Sequence, residues 1–312
     1  MSNLTEAVPA VPASKPRAAG RRSQRGGKVN PLGAVAHIAL ILWALATAGP
    51  LIWVILASFK NNTELFLGKP FALPHHFSFS TYAHAWSTAH IGQYFLNSVI
   101  VVAFSTAGTM ILGAMAAYVL ARYKFIGNRI IYYVFISGLA FPTFMALAPL
   151  FGILQNIKVP SDSGSLLGTQ VGLILVYIAY SLSFTVFFLV AFFQTLPKEI
   201  EEAATVDGAG HIRRFWQIMM PMARSGLVSI TIFNIVGQWN QYLLPTVVMS
   251  GPGSDSKWVL TQGIANISTS AGYHADWSTL FAALTLTILP MVVVYAIFQR
   301  QIQSGLTSGA VK

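Results

Sequence analysis

The acidic residues of this chain gather in one short segment. The stretch EIEEAATVD, residues 199–207, holds Glu199, Glu201, Glu202 and Asp207, which are four of the nine Asp and Glu residues in 312. Carboxylates this close together could act as a catalytic pair or could form a surface that another molecule binds. The elements around them decide between these two uses.

Long runs without charge dominate the rest of the chain. It is 54% hydrophobic and 9% charged, whereas an ordinary soluble domain has about 25% charged residues. Several uncharged runs come close to or exceed the ~20 residues that a helix needs to cross a bilayer. The six runs are Leu32–Phe59, Phe95–Leu120, Ile130–Leu154, Thr169–Phe193, Leu227–Met249 and Leu280–Phe298. Lipid offers no hydrogen-bond partners to the backbone, so each run must pair its own amides by forming a helix. The predicted fold class is therefore all-α, a polytopic membrane protein with six transmembrane helices.

The basic residues predict how these helices are oriented. With the amino terminus inside, 15 of the 19 Lys and Arg residues fall in inner segments, and outer loops hold only Lys60, Lys69, Lys158 and Lys257. Cytoplasmic loops of membrane proteins are enriched in Lys and Arg. We therefore expect a multi-pass protein of the cell membrane, with both termini and the acidic segment in the cytoplasm. The net charge of +10 then reflects topology rather than nucleic-acid binding.

The chain divides into a tail and one membrane domain. Residues 1–30 are rich in Ala, Pro, Ser, Gly and Arg, which predicts a disordered basic cytoplasmic tail beside anionic lipid head groups. Residues 31–312 are predicted to form a single six-helix domain with a cytoplasmic loop at 194–221. A cleaved signal peptide is the alternative for the start of the chain. The run Leu32–Phe59 disfavours it, because a signal core has only about 7–15 apolar residues.

The acidic segment is predicted to be a helix–turn–helix outside the bilayer. Inserting four carboxylates would cost on the order of 10 kcal/mol, so the segment does not span. Pro197 favours a helix start, Gly208 a tight turn, and Pro221 the end of a second helix. An apolar face on that second helix is formed by Ile212, Phe215, Trp216 and Met219. A solvated connector would also fit this pattern.

The spacing in this segment resembles the EAA loop of ATP-binding-cassette (ABC) importer permeases. That family pattern is Glu-Ala-Ala, three residues, Gly, nine residues, Ile, one residue, Leu-Pro, and this chain departs from it only at Met220. The matching residues are Glu202, Ala203, Ala204, Gly208, Ile218 and Pro221. The resemblance implies a coupling helix seated in a cleft of a separate ATPase subunit. Small alanines would permit close approach, Gly208 would make the turn, and Glu202 would supply a fixed polar contact.

Other stretches resemble the carbohydrate-uptake branch of that family, in particular its maltose-permease G-type subunits. They are Tyr94–Val101, Gly237–Pro245, Ala275–Pro290 and Phe298–Lys312. The resemblance implies the membrane-spanning subunit of an importer for a sugar, with an oligosaccharide favoured. It also implies a second homologous permease, two ATPase subunits and an extracytoplasmic sugar-binding protein as partners. The acids would then form a docking surface rather than a catalytic dyad.

The chain lacks the usual signatures of an enzyme or an ATPase. It has no cysteine, and no residue pattern in the predicted helices indicates a metal cluster or a catalytic residue. A phosphate-binding GxxxxGK[ST] motif is missing, and the nearest stretch, residues 26–29, lacks its spacing and its hydroxyl. We therefore expect ATP and Mg²⁺ on the partner and no cofactor on this chain. The main alternative is an ion-coupled secondary transporter, which usually carries ionisable residues within its helices; here all nine acids lie outside the six runs, and His37 is the only histidine inside them.

Uncharged polar residues are the candidates for the solute pathway. Thr231, Asn234, Gln238 and Gln241 share one face of the fifth predicted helix, and amides suit a neutral polyhydroxylated solute. The same side chains could instead bond neighbouring helices, and the sequence leaves both possibilities open. On the fourth helix Tyr177 and Tyr180 could stack on a sugar or pack in the core. Asn240 lies on the opposite side of its helix and is a candidate only through the family pattern.

Overall fold

The computed structural model describes residues 31–158, 164–251, 253–274 and 276–310. The predicted disordered tail, Ala275 and the last two residues of the chain lie outside them. The described residues form helices and no strand beyond one isolated bridge between Lys158 and Ser165. The helices are α1 (Pro31–Ala57), α2 (Asn62–Leu67), α3 (Ser80–Ser87), α4 (Ile91–Arg122), α5 (Asn128–Ala140), α6 (Thr143–Asn156), α7 (Gln170–Thr195), α8 (Lys198–Val206), α9 (His211–Met222), α10 (Arg224–Trp239), α11 (Leu243–Val248), α12 (Leu260–His274) and α13 (Trp277–Ala310). The all-α prediction is thus confirmed for the described residues.

The membrane spans are less regular than the six apolar runs suggest. Four helices, α1, α4, α7 and α13, are long and apolar enough to cross a bilayer. Two further spans are present if each strongly bent pair counts as one: α5 with α6 at 105°, and α9 with α10 at 79°. The count among the described residues is therefore four to six.

Two of the predicted runs are interrupted. The third run breaks between Ala140 and Thr143, where Pro142 precedes α6; a proline removes a backbone donor and restricts the residue before it. The fifth run breaks after Trp239, and Pro245 lies inside the short α11 that follows.

The chain separates into two compact units, residues 1–50 and 51–312. The described part of the first unit is the beginning of α1. In the second unit α4 and α7 pack along each other, and α10 packs on both. Gly113 permits the close approach of α4 to α7, because a Cβ there would lie 2.6 Å from Cγ2 of Thr185. These three helices form the frame that positions both candidate sites.

Buried side chains form clusters at the two ends of this frame. At the Arg122 end of α4, Phe193 of α7 packs with Phe215 and Met219 of α9. At the opposite end, one cluster joins the start of α7 to α6 and α11, and another joins the start of α4 to α12 and α13. The acidic segment is thus held to the bundle by a hydrophobic cluster of its own.

A polar joint connects α2 to the start of α13. Nδ2 of Asn62 donates to Oδ1 of Asp276 (3.2 Å), and the backbone N–H of Ser278 donates to Oδ1 of Asn62 (3.0 Å). Partial burial acts to raise the pKa of Asp276, but hydrogen bonds from Thr279, Asn62 and Ser278 outweigh it and lower that pKa below its usual value. The carboxylate form of Asp276 therefore stabilises the joint.

Candidate functional sites

The acidic segment, residues 194–221, has the predicted helix–turn–helix form, and we call it the acidic hairpin. Helix α8 begins after Pro197, and the turn follows with Gly208 at φ +79°. Ala209 N–H donates to the carbonyl of Ala204 (2.9 Å), which closes the end of α8. Because an L side chain rarely adopts this positive φ, the turn favours glycine at position 208.

The second helix of the hairpin does not end at Pro221 as predicted. Its segment Arg214–Met219 is π-helical, with the N–H of Met220 donating to the carbonyl of Phe215. Pro221 then falls in the first turn of the α-helical residues that follow, where its missing donor is not needed. The chain stays helical to Met222 and bends by 79° before α10.

The residues of the family pattern are divided between the surface and the interior. Glu202, Ala203, Gly208 and Pro221 are exposed, Ile218 is half-buried, and Ala204 is buried. Val206 and Ile212, on either side of the turn, are 88% and 79% exposed. We call the exposed set Ala203, Val206, Gly208 and Ile212 the hairpin tip. It presents small and apolar groups outward, while Phe215 and Met219 from the predicted apolar face are buried.

A buried ion pair anchors the hairpin to α4. Nε of Arg122 lies 3.5 Å from Oε2 of Glu201, and the two side chains are 3% and 13% exposed. The hydroxyl of Tyr118 donates to Oε1 of the same glutamate (2.7 Å). Nη2 of Arg122 donates to the carbonyl of Leu196 (2.9 Å). Helix α8 and the residues just before it are thereby tied to the last turns of α4.

A second set of polar contacts joins the two helices of the hairpin. Arg214 donates to Oγ1 of Thr205 and to Nδ1 of His211, both at 2.7 Å. A guanidinium has only donors, so Nδ1 of His211 is the acceptor in this contact. The hydroxyl of Tyr123 also lies 2.7 Å from that Nδ1, which brings in the loop after α4.

Five of the six predicted pathway residues line one cavity of about 420 Å³ between α5, α7 and α10. These five are Tyr177, Tyr180, Asn234, Gln238 and Gln241. Asn240 does not line it; its side chain is exposed and its Nδ2 donates to the carbonyl of Val236 (2.8 Å). The residues that line this cavity are aromatic, aliphatic or neutral polar, and none of them is charged.

Gln238 is committed to neighbouring helices. Its Oε1 accepts from the hydroxyls of Ser105 (2.6 Å) and Thr106 (3.0 Å) on α4, and its Nε2 donates to Ser181 on α7 (3.0 Å). Asn234, one turn away, donates to Oγ1 of Thr185 (2.9 Å). The amides of α10 therefore bond neighbouring helices and also line the cavity, while the solute pathway stays a prediction.

The two tyrosines that line the cavity differ in their exposure to solvent. Tyr177 is 2% exposed and belongs to a core cluster, whereas Tyr180 is 50% exposed and accepts a hydrogen bond from Thr143. Gln241 lies beyond the end of α10 and is partly exposed. Thr231, predicted on the same stripe, lines a different cavity between α4, α10 and α13.

Comparison with known proteins identifies the family. Residues 109–308 match the model of the binding-protein-dependent transport system inner membrane component. This chain belongs to that family. The match covers α7, the acidic hairpin and α10, and thus contains both candidate sites. The predicted ABC-importer permease family is confirmed, and with it a multi-pass membrane protein.

The relatives of this permease carry names from sugar transport. It is 49% identical over 276 residues, 88% of each chain, to the diacetylchitobiose uptake system permease protein NgcG of Streptomyces coelicolor. It is 32% identical to the trehalose transport system permease protein SugB of Mycobacterium tuberculosis, over 84% of this chain and 92% of that one. A solved bacterial ABC transporter for the import of the acidic polysaccharide alginate has the same fold, with a TM-score of 0.72 at 19% identity over 86% of this chain and 96% of that one.

Sequence reasoning missed the residues that anchor the permease's hairpin. Arg122 entered only as a positive charge that indicates topology, and Glu201 only as one of several acids. A signal for the pair was present in the position of Arg122, which is the first charge after an uninterrupted apolar run. The partner of that charge was not readable, because it lies 79 residues further along the chain.

Proposed function

We propose that this permease carries a neutral sugar, favouring an oligosaccharide, through the membrane as part of an ABC importer. The cavity between α5, α7 and α10 carries this proposal. Its amides, hydroxyls and aromatic rings suit a ligand with many hydroxyls and apolar ring faces. The named sugars of the relatives, diacetylchitobiose and trehalose, agree with this chemistry.

The lining also favours a neutral solute over an acidic one. An acidic sugar calls for a cation close by, since a carboxylate in a cavity of low polarity needs a charge partner. No Lys, Arg or His is among the described residues that line this cavity. This favours uncharged sugars over uronic acids as its cargo.

Within the cavity we assign different roles to the polar residues. Tyr180 and Gln241 are the more accessible groups and would meet the sugar. Gln238 and Asn234 hold α10 to α4 and α7 in the described conformation. Their amides become available to a solute only when these helices separate.

The acidic hairpin is the proposed contact with the ATPase. The positive-inside asymmetry supports a cytoplasmic hairpin and cytoplasmic termini. The hairpin tip offers exposed apolar groups of a size that a cleft could take, and exposed Glu202 supplies a polar contact beside it. Arg122 and Glu201 would pass a displacement of the hairpin to α4, because they fix α8 to its last turn.

The mechanism that follows is alternating access. ATP and Mg²⁺ would act on two partner ATPase subunits, whose closure moves the acidic hairpin. Helices α4, α7 and α10 would then shift against a second, homologous permease, and the cavity would open to an extracytoplasmic sugar-binding protein. The residues of this chain supply the lever and the lining, while hydrolysis belongs to the partner.

Uptake by cells with and without this chain tests the proposal. We expect radiolabelled neutral di- and oligosaccharides to accumulate only when the chain is present and ATP is available. Accumulation that persists after loss of the ATPase, and collapses with an ionophore, would instead indicate a secondary transporter. Equal uptake of uronic-acid oligosaccharides would contradict the inference from the uncharged lining.

A further inference from the structure

A second large cavity lies beside the acidic hairpin. It is a groove of about 900 Å³ between the turn that joins α4 to α5 and one face of α8. Residues 198, 201, 202 and 205 of α8 line it, so they form one helical face. Glu202, the proposed polar contact of the ATPase, lines the groove, whereas none of the residues of the hairpin tip does.

The charged residues that line this groove are mainly basic. It includes Arg122, Lys124, Arg129, Lys198 and Arg214, against the two acids Glu201 and Glu202. Glu201 is already paired with Arg122. The remaining positive charge makes the groove suited to an anion.

Two guanidinium donors in the wall lack hydrogen-bond acceptors. The Nε atoms of Arg122 and Arg214 are buried and make no hydrogen bond within the described part of the chain. For Arg122 the carboxylate of Glu201 lies at ion-pair distance, but the geometry is not that of a hydrogen bond. The side chain of Arg122 is only 3% exposed. These two guanidinium groups therefore act on the groove through their positive charge, which attracts an anion.

The start of α5 adds a further attraction for an anion. This helix of 13 residues begins after Gly127, which has φ +91° and provides no side-chain cap. Gly127, Asn128, Arg129 and Ile130 all line the groove. The first N–H groups of a helix and its dipole both favour a negative group at that end.

The rim of the groove is apolar on the side of the α4–α5 turn. Of the lining residues there, Phe125 is 42% and Ile130 70% exposed, and Ile126, which lies between them in the chain without lining the groove, is fully exposed at 104%. In the sequence Lys124 directly precedes Phe125, and Arg129 directly precedes Ile130. Bases next to exposed large apolar groups, at the end of membrane-spanning helices, match the chemistry of a lipid head group and its acyl chains rather than that of a soluble anion.

We propose that this groove binds an anionic phospholipid. The phosphate would accept from Lys124, Arg129 and Lys198, which are exposed in the groove, and from the amino end of α5. The acyl chains would lie against Phe125 and Ile130. The assignment to the cytoplasmic leaflet rests on the proposed function, through the orientation of the acidic hairpin. The bound lipid would bridge α8 and the α4–α5 turn, and would therefore stiffen the connection through which the hairpin moves α4.

Native mass spectrometry of the complete importer in detergent tests this directly. The probes are dioleoylphosphatidylglycerol and dioleoylphosphatidylcholine, titrated onto wild type and onto the double variant Lys124→Ala/Arg129→Ala. Lys124 and Arg129 are both exposed, so their replacement should leave assembly of the importer intact. We expect the anionic lipid to bind wild type more tightly than the zwitterionic lipid, and its binding to weaken on the order of tenfold in the variant.

Arg213→Ala is the matched control, because Arg213 is an exposed base on α9 that does not line the groove. It should leave lipid binding unchanged.

Equal binding of the two lipids, or equal weakening by Arg213→Ala, overturns the proposal. Displacement of the lipid by millimolar inorganic phosphate would show a soluble-anion site instead. Lipid binding that appears only after the ATPase is stripped away would show that a protein occupies the groove. None of these readouts requires transport, so sugar uptake can fail or succeed independently.

Discussion

Arg122 and Glu201 form the joint between the membrane helices and the acidic hairpin. Their charged groups lie 3.5 Å apart with 3% and 13% of each side chain exposed. The neighbouring Glu202, which carries the family pattern, is exposed. Adjacent acids therefore have different surroundings: Glu201 faces the bundle and pairs with Arg122, whereas Glu202 is open to solvent.

Removal of Arg122 should weaken this joint. In Arg122→Ala the carboxylate of Glu201 loses its cation and, within the described part of the chain, keeps the hydrogen bond from Tyr118 alone. We expect a loss of about 1–3 kcal/mol in stability and ATP hydrolysis that no longer drives uptake. Thermal unfolding and sugar uptake of the reconstituted importer measure the two effects. Glu199→Gln removes an exposed acid from the same helix and should change neither measurement. Wild-type stability and uptake in Arg122→Ala would contradict the role of the ion pair.

Substitution of Gly208 should separate membrane insertion from transport. Its φ of +79° is strained for any L side chain, although the space that a Cβ would occupy is open, with no atom within 4 Å. Gly208→Val should therefore cost about 1–2 kcal/mol in the turn and abolish uptake. Membrane fractionation should still recover the chain at the normal level. Gly210→Ala is the control, since Gly210 has an ordinary φ of −66° and open space around it. Normal uptake with Gly208→Val would count against a structured coupling turn.

Gln238 and Gln241 should respond differently to loss of their amides. Gln238→Leu removes three hydrogen bonds between helices, so we expect lower stability by roughly 1–3 kcal/mol and a changed maximal rate of uptake. Gln241→Leu should mainly raise the sugar concentration needed for half-maximal uptake. Asn240→Ala, outside the cavity, should affect neither. Identical kinetic effects of the two variants would contradict the assignment of Gln238 to contacts between helices and of Gln241 to contact with the solute.

The joint at Asp276 predicts a pH dependence of stability. Because hydrogen bonds lower the pKa of Asp276 below 3.8, its carboxylate stabilises the fold above that pH, and the contribution disappears as the pH falls through the lowered value. Asp276→Asn should thus have a lower unfolding temperature than wild type at pH 7, with the difference shrinking as the pH is lowered past the pKa of an ordinary aspartate. Since the side chain is 40% exposed, solvent screening keeps the effect small. A difference that grows on acidification would reverse the assigned sign.

Features that depend on neighbouring residues were predictable from the sequence. Apolar runs of bilayer length give helices because lipid leaves no other way to pair the backbone. The acidic hairpin follows from Pro197, Gly208 and the charges between them, each of which acts within one or two helical turns. The family pattern from Glu202 to Pro221 then pointed to a permease.

Features that depend on contacts between distant segments came only from the tertiary structure. The hydroxyl of Tyr118 and the carboxylate of Glu201 are 83 residues apart in the chain, and Gln238 meets α4 across more than 130 residues. Sequence periodicity places a side chain on a helix face but does not say which helix lies opposite, because packing depends on the combined shapes of all the helices. The polar stripe of α10 was therefore predictable, whereas only the packed structure showed Gln238 bonded to its neighbours, Gln241 in the cavity and Asn240 outside it.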